Sequence, residues 1–199
     1  MSSFWTGLLA AVAVVAAVAA GSGLWLQRRI VADVVTRVTE ANPDGAAGTA
    51  LIVYQPGLSD FQAKVTAAFG EGLVEGGWRV LTTTASDQAP SVTTDYDVIV
   101  LGAPVYGGVP GKPLSRYIER VADFGGKPVF VLLTAGGDAE PAIEHTKQAV
   151  AGHNGRPVGS LGLTTSRPND AANEFTGSNA ERAVQIARRA GRTLQLPAS

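Results

Sequence analysis

The residues of this 199-residue chain best suited to chemistry lie in one short stretch, Gly102-Ala103-Pro104-Val105-Tyr106-Gly107-Gly108-Val109-Pro110-Gly111. An apolar run, Tyr96-Asp97-Val98-Ile99-Val100-Leu101, leads into it, and a helical pattern begins at Pro113. The stretch holds four glycines, two prolines and one tyrosine, and no lysine or arginine. Glycine lets backbone approach a flat ligand closely or take a positive φ. Proline fixes the loop and removes donors that would need partners. Tyrosine offers a ring for stacking and a polar tip. Without a cation, such a loop suits a planar aromatic group better than a phosphate. The plainer alternative is a tight strand-to-helix turn with a packed tyrosine.

A loop of this kind needs a strand behind it and a helix after it, and the same unit recurs. Thr49-Ala50-Leu51-Ile52-Val53-Tyr54 reads as a buried strand. Gln55-Pro56-Gly57-Leu58-Ser59-Asp60 is its loop, and a helix follows with Phe61, Val65, Ala68, Phe69 and Leu73 on one face. Trp78 to Thr83 gives a second strand, 96–101 the third, Lys127 to Leu133 the fourth and Arg156 to Thr165 the fifth. The fourth strand ends in Thr134-Ala135-Gly136-Gly137-Asp138, a second glycine-bearing loop at the same edge, where Asp138 also reads as a cap for the next helix. A polar loop from Ser166 to Gly177 precedes a last amphipathic helix, with Ser178 and Glu181 spaced as a capping box. Strands alternating with helices predict a parallel sheet covered on both faces.

Gly102-Ala103-Pro104-Val105-Tyr106-Gly107-Gly108, followed by Pro110 and Leu114, resembles the second flavin loop of the flavodoxin family, and the likeness runs over roughly residues 49–196. The resemblance implies a doubly wound, five-stranded parallel sheet of order 2-1-3-4-5 with FMN at the switch between strands 1 and 3. It implies cofactor contacts from Gln55, Gly57, Leu58 and Ser59 in the first loop, from Ala103, Pro104, Val105, Tyr106, Gly107 and Gly108 in the second, and from Thr134, Ala135, Gly136 and Gly137 in the third. Tyr106 would contact the ring, and the flavin would carry the redox chemistry without a catalytic acid or base. The first loop differs from the family's hydroxyl-rich phosphate cradle. Ser59 is its only hydroxyl, Pro56 has no N–H, and Asp60 brings a negative charge to the helix head, where Asp60 or Ser59 also reads as a simple N-cap.

Composition narrows the partners. The formal net charge of −1 and the absence of a basic cluster give no footprint for nucleic acid. The chain has no cysteine, which excludes disulfides, iron–sulfur ligation and thiol chemistry. Its two histidines, His145 and His153, do not supply a histidine-rich metal site.

Residues 1–27 hold no charged side chain, and 7–26 are almost wholly apolar, with Trp5 and Trp25 near the two ends. About 20 such residues match the thickness of a hydrocarbon core. The expectation is a transmembrane helix over 1–27 that contacts lipid through 7–26. The alternatives are a buried core helix or a signal peptide, although the latter lacks a basic leading region. Arg28-Arg29 follow at once, which places the remainder of the chain on the cytoplasmic side of a single-pass protein. Residues 28–48 read as a juxtamembrane helix, with a stripe of Ile30, Val31, Val34, Val35 and Val38, closed by an Asn42–Gly48 linker. The domain then spans 49–199.

Three functions fit this reading. The first is a membrane-tethered flavodoxin-like protein moving electrons through FMN to a redox protein or quinone at the membrane. The second is an FMN-dependent quinone reductase or protoporphyrinogen oxidase. The third is a flavodoxin fold without its flavin, serving as a tethered interaction domain.

Overall fold

The computed structural model describes residues 32–166, 168–169 and 175–196. The expected transmembrane segment, its flanking tryptophans and Arg28-Arg29 lie outside the described residues. Among the described residues no helix is long and apolar enough to cross a membrane.

In chain order the elements are β1 (Thr39–Ala41), β2 (Thr49–Tyr54), α1 (Phe61–Glu75), β3 (Arg79–Thr84), β4 (Val98–Tyr106), β5 (Val109–Pro110), α2 (Lys112–Val121), β6 (Pro128–Ala135), α3 (Glu140–Gly152), β7 (Arg156–Thr164) and α4 (Asn179–Arg192). The central strands are apolar on both sides, so each face of the sheet needs a cover. Leu51, Val53, Ile99, Leu101, Val129, Val131 and Leu133 pack on one side against Leu114, Tyr117 and Ile118 of α2 and Ala142, Ile143 and Val150 of α3. Ala50, Ile52, Val98, Val100, Phe130 and Leu132 pack on the other against Phe61, Val65, Phe69 and Leu73 of α1 and Ala183 and Ala187 of α4. Glycines let α1 and α4 touch along their backbones: a Cβ on Gly191 would stand 2.1 Å from the Phe69 carbonyl oxygen.

The sheet order is β1-β3-β2-β4-β6-β7, with β5 paired to β4. β2, β3, β4, β6 and β7 run parallel, while β1 lies antiparallel on β3 and β5 antiparallel on β4. The chain is therefore doubly wound as expected, but the sheet has seven strands rather than five.

Both extra strands correct the sequence reading. The segment taken as a loop from Gly102 is a continuation of β4 through Tyr106, because β6 pairs with it as far as Pro104↔Thr134. Gly107 and Gly108, at φ +60° and +81°, then form a tight hairpin turn into β5. The expected juxtamembrane helix is also absent from the described part of 28–48, where 32–38 has no regular structure and 39–41 is strand. Val34, Val35 and Val38, read as part of a helical stripe, are 46%, 49% and 43% exposed. Their β-branched character favours extended backbone, and the open edge of β3 offers partners. Thr36 and Thr84 exchange N–H···Oγ1 bonds at 3.0 and 3.2 Å, the Thr83 hydroxyl donates to the Thr36 carbonyl at 3.2 Å, and Arg79 pairs with Glu40 at 2.6 Å. This strap covers an edge that would otherwise invite another chain.

Candidate functional site

β2 is flanked by β3 on one side and β4 on the other, so the winding reverses between β2 and β4. Tyr54 stands level with Gly102, and Pro104 with Thr134, so three loops leave the sheet side by side. Open α/β sheets bind ligands outside the carboxyl ends of strands at such a switch point. Here they enclose a cleft of about 260 Å³.

The first loop supplies Gly57, Leu58 and Ser59, the hairpin supplies Pro104, Val105 and Tyr106, and the end of β6 supplies Thr134, Ala135 and Gly136. These residues, predicted separately from sequence, meet in one place. The remaining predicted residues lie elsewhere. Gln55 is only 3% exposed, and its amide packs on Gly111, where a Cβ would stand 1.9 Å from its Oε1. Ala103 is fully buried in the layer beneath α2 and α3. Gly107 and Gly108 stand at the hairpin tip with open space where a Cβ would project. Gly137 lines a neighbouring depression with Asp138 and Asn169.

Tyr106 ties two of the loops together, since its phenol oxygen accepts the Leu58 N–H at 3.0 Å. At the head of α1, Asp60 occupies the N-cap position without a side-chain cap bond. It pairs instead with Lys64 at 2.7 Å, and that hydrogen bond holds its carboxyl below the usual carboxylate range. Ser59 Oγ accepts the Phe61 N–H at 3.5 Å. At the third loop, Asp138 accepts the Glu140 N–H at 3.0 Å, so it serves the start of α3.

Sequence reasoning passed over Gln62, Phe61 and Thr165, which also line the cleft. Gln62 is 1% exposed. Its Oε1 accepts the Thr134 hydroxyl at 2.7 Å, and its Nε2 donates to Thr66 Oγ1 at 3.0 Å and to the Leu132 carbonyl at 3.4 Å. The signal was present: Gln62 and Thr66 interrupt an otherwise apolar face of α1 at i, i+4 spacing. A buried amide with this many partners fixes the floor of the cleft.

A larger depression of about 370 Å³ lies over α2, lined by Ser86, Tyr117, Arg120 and the Asp33–Arg116 ion pair. Size favours that hollow, but three strand ends and their loops converge on the smaller cleft, and ligand chemistry follows the latter in this architecture.

Doubly wound topology with a cleft at the switch point defines an open α/β sheet domain. More narrowly, the fold is flavodoxin-like. An NAD(P)H:quinone oxidoreductase from Methanothermobacter marburgensis superposes with a TM-score of 0.55 at 20% identity, over 74% of this chain and 99% of its own. Two-electron reduced flavodoxin from Megasphaera elsdenii gives 0.54 at 16% identity, over 70% and 98%. Flavodoxin 2 from Bacillus cereus, in its oxidised form, gives 0.53 at 18% identity, over 70% and 94%. No protein-family model and no curated protein sequence matches the chain.

Proposed function

We propose that this chain is a redox flavoprotein of the flavodoxin type that carries FMN in the switch-point cleft and passes electrons to a quinone or a redox protein at a membrane. The carrying observation is the cleft itself: apolar strand ends and glycine-bearing loops converge there around one half-buried tyrosine. The similar solved structures support the reading, since they include flavodoxins and a quinone oxidoreductase.

The residues fit the ring of a flavin. Pro104, Val105 and Ala135 give apolar walls, and Tyr106 gives an aromatic face. Among the described residues, nothing beyond its chain neighbours lies within 4 Å of a Cβ built on Gly136, so the third loop leaves room for close approach. The flavin, when bound, supplies the reversible electron chemistry. The protein's share is to hold the ring between two loops, exclude water from it and fix the loops through Gln62 and Thr134. A phosphate on the ligand would meet Ser59 and the head of α1, where Asp60 also stands.

Residues 7–26 are the tether in this proposal, and Arg28-Arg29 keep the domain cytoplasmic. The test is to titrate the full chain, purified in detergent, with FMN while following flavin fluorescence and visible absorbance. Saturable quenching with one equivalent bound is expected. A folded protein that leaves flavin fluorescence unchanged refutes the redox reading and leaves a tethered interaction domain, which Pro56 and Asp60 favour. Protease cleavage of the domain from outside intact cells refutes the orientation.

A further inference from the structure

A phosphate monoester dianion is held by N–H donors at a helix head, by hydroxyls and by cations. The first loop is poor in all three. Pro56 has no N–H, and the Leu58 N–H is already given to the Tyr106 phenol at 3.0 Å. The Phe61 N–H points to Ser59 Oγ, the segment's single hydroxyl, at 3.5 Å. Asp60 places a carboxylate at the head of α1, kept ionised by Lys64, whose ammonium is in turn engaged 2.7 Å away. None of the described residues lining the cleft is a cation. The opposite end has what a neutral planar ring requires, in Pro104, Val105, Tyr106 and Ala135.

We propose, resting on the flavin reading above, that this cleft holds its ligand by the isoalloxazine ring and gains little from the 5′-phosphate, so that riboflavin and FMN are near-equivalent ligands. Tyr106 has two parts in this. Its ring faces the ligand, and its hydroxyl holds the backbone donor that a phosphate on this loop would use. Asp60 adds a like charge at the same helix head, opposing the attraction of the helix dipole for an anion.

The experiment titrates the full-length protein in detergent with FMN and with riboflavin, in wild type, Tyr106→Phe and Asp60→Asn. In wild type the two dissociation constants should agree within about tenfold, the range that one helix terminus covers. Tyr106→Phe keeps the ring and releases the Leu58 N–H, so the preference for FMN over riboflavin should rise a few-fold, whatever the lost tie costs both ligands alike. Asp60→Asn touches only an exposed ion pair, leaves the fold intact and should shift the ratio toward FMN in the same way. A wild-type preference for FMN beyond about tenfold overturns the proposal while leaving the flavin reading in place. A Tyr106→Phe or Asp60→Asn protein whose FMN-to-riboflavin ratio does not rise overturns it equally. Failure of both ligands to bind wild type overturns the flavin reading itself.

Discussion

Gln62 gives the most exacting test of how the cleft floor is built. Gln62→Leu keeps the volume and removes an acceptor for the Thr134 hydroxyl and a donor to Thr66 and the Leu132 carbonyl. The Leu132 carbonyl lies within β6, which is paired on both sides. The two threonine hydroxyls are 3% and 2% exposed at the residue level, and water cannot readily replace the lost partner. Each buried group left unsatisfied costs about 1–3 kcal/mol, and the leucine recovers a little by burial, so the net loss should be about 2–4 kcal/mol. For a domain of this size that lowers the melting temperature by about 5–15 °C. Thr134→Val alone orphans Gln62 Oε1 and should cost about 1–3 kcal/mol.

The double variant carries the argument. With both partners apolar, the Gln62–Thr134 pair has no orphan to desolvate, so the combined loss should fall short of the sum by at least about 1 kcal/mol. Urea unfolding followed by far-UV circular dichroism measures all four proteins. Costs that add to within about 0.5 kcal/mol refute the coupled network, and so does a Gln62→Leu protein as stable as wild type.

Three further outcomes are expected. Gly107→Val should cost about 1–2 kcal/mol, set by its φ of +60°, because a Cβ built there meets nothing within 4 Å among the described residues beyond its chain neighbours; Gly107→Asn should be milder in the same thermal melt. Gly111→Ala should lose about 1–3 kcal/mol by overpacking, since its Cβ would meet Gln55 Oε1 at 1.9 Å, and Gln55→Ala in the same protein should restore part of the loss. At α4, the Ser178 N–H and hydroxyl lower the Glu181 carboxyl below its ordinary value. A depressed folded pKa stabilises above the unfolded value and stops doing so as pH falls through the folded one. Acid should therefore weaken the capping box, and Ser178→Ala should flatten that part of the stability–pH curve in thermal melts.

The parts of the fold that were legible in sequence are those where local pattern and tertiary demand agree. β2 and β6 are continuous apolar runs because both their faces are covered, and Gly76-Gly77 marks where α1 gives way, whereas α2 already ends at Val121, before the Gly125-Gly126 turn. The continuation of β4 was hidden because Gly102, Ala103 and Pro104 carry turn chemistry. Pairing with β2 and β6 overrides it. Gly102 is required there by crowding rather than by a turn, as a Cβ would stand 3.0 Å from both Gln62 Nε2 and the Tyr54 Cβ. The valines of 34–38 repeat at helical spacing, but they stay exposed among the described residues, and the edge of β3 offers the backbone partners that a helix with no buried face lacks. In the site, type and spacing located the loops but not the direction of each side chain. Gln55, expected to contact the cofactor, follows a half-buried Tyr54 and turns into the protein, whereas Gln62, seven residues on, lines the cleft.

Tyr106 is where the fold and the site depend on one another, and two variants separate its duties. The phenol oxygen holds the Leu58 N–H and so ties the hairpin to the first loop, while the ring stays half-buried at the cleft. Tyr106→Phe removes only the tie. Its thermal cost should be that of one hydrogen bond at a wet edge, about 1 kcal/mol. Tyr106→Ala removes the ring as well and should weaken riboflavin by a further 0.5–1.5 kcal/mol, or about twofold to tenfold. If the tyrosine is instead a packing residue, Tyr106→Ala should melt the domain by several degrees more than Tyr106→Phe and leave flavin affinity where it was. Melting temperature and riboflavin affinity measured on both proteins distinguish these outcomes. A flavin affinity that ignores the loss of the ring refutes the stacking role of Tyr106, whatever the fold does.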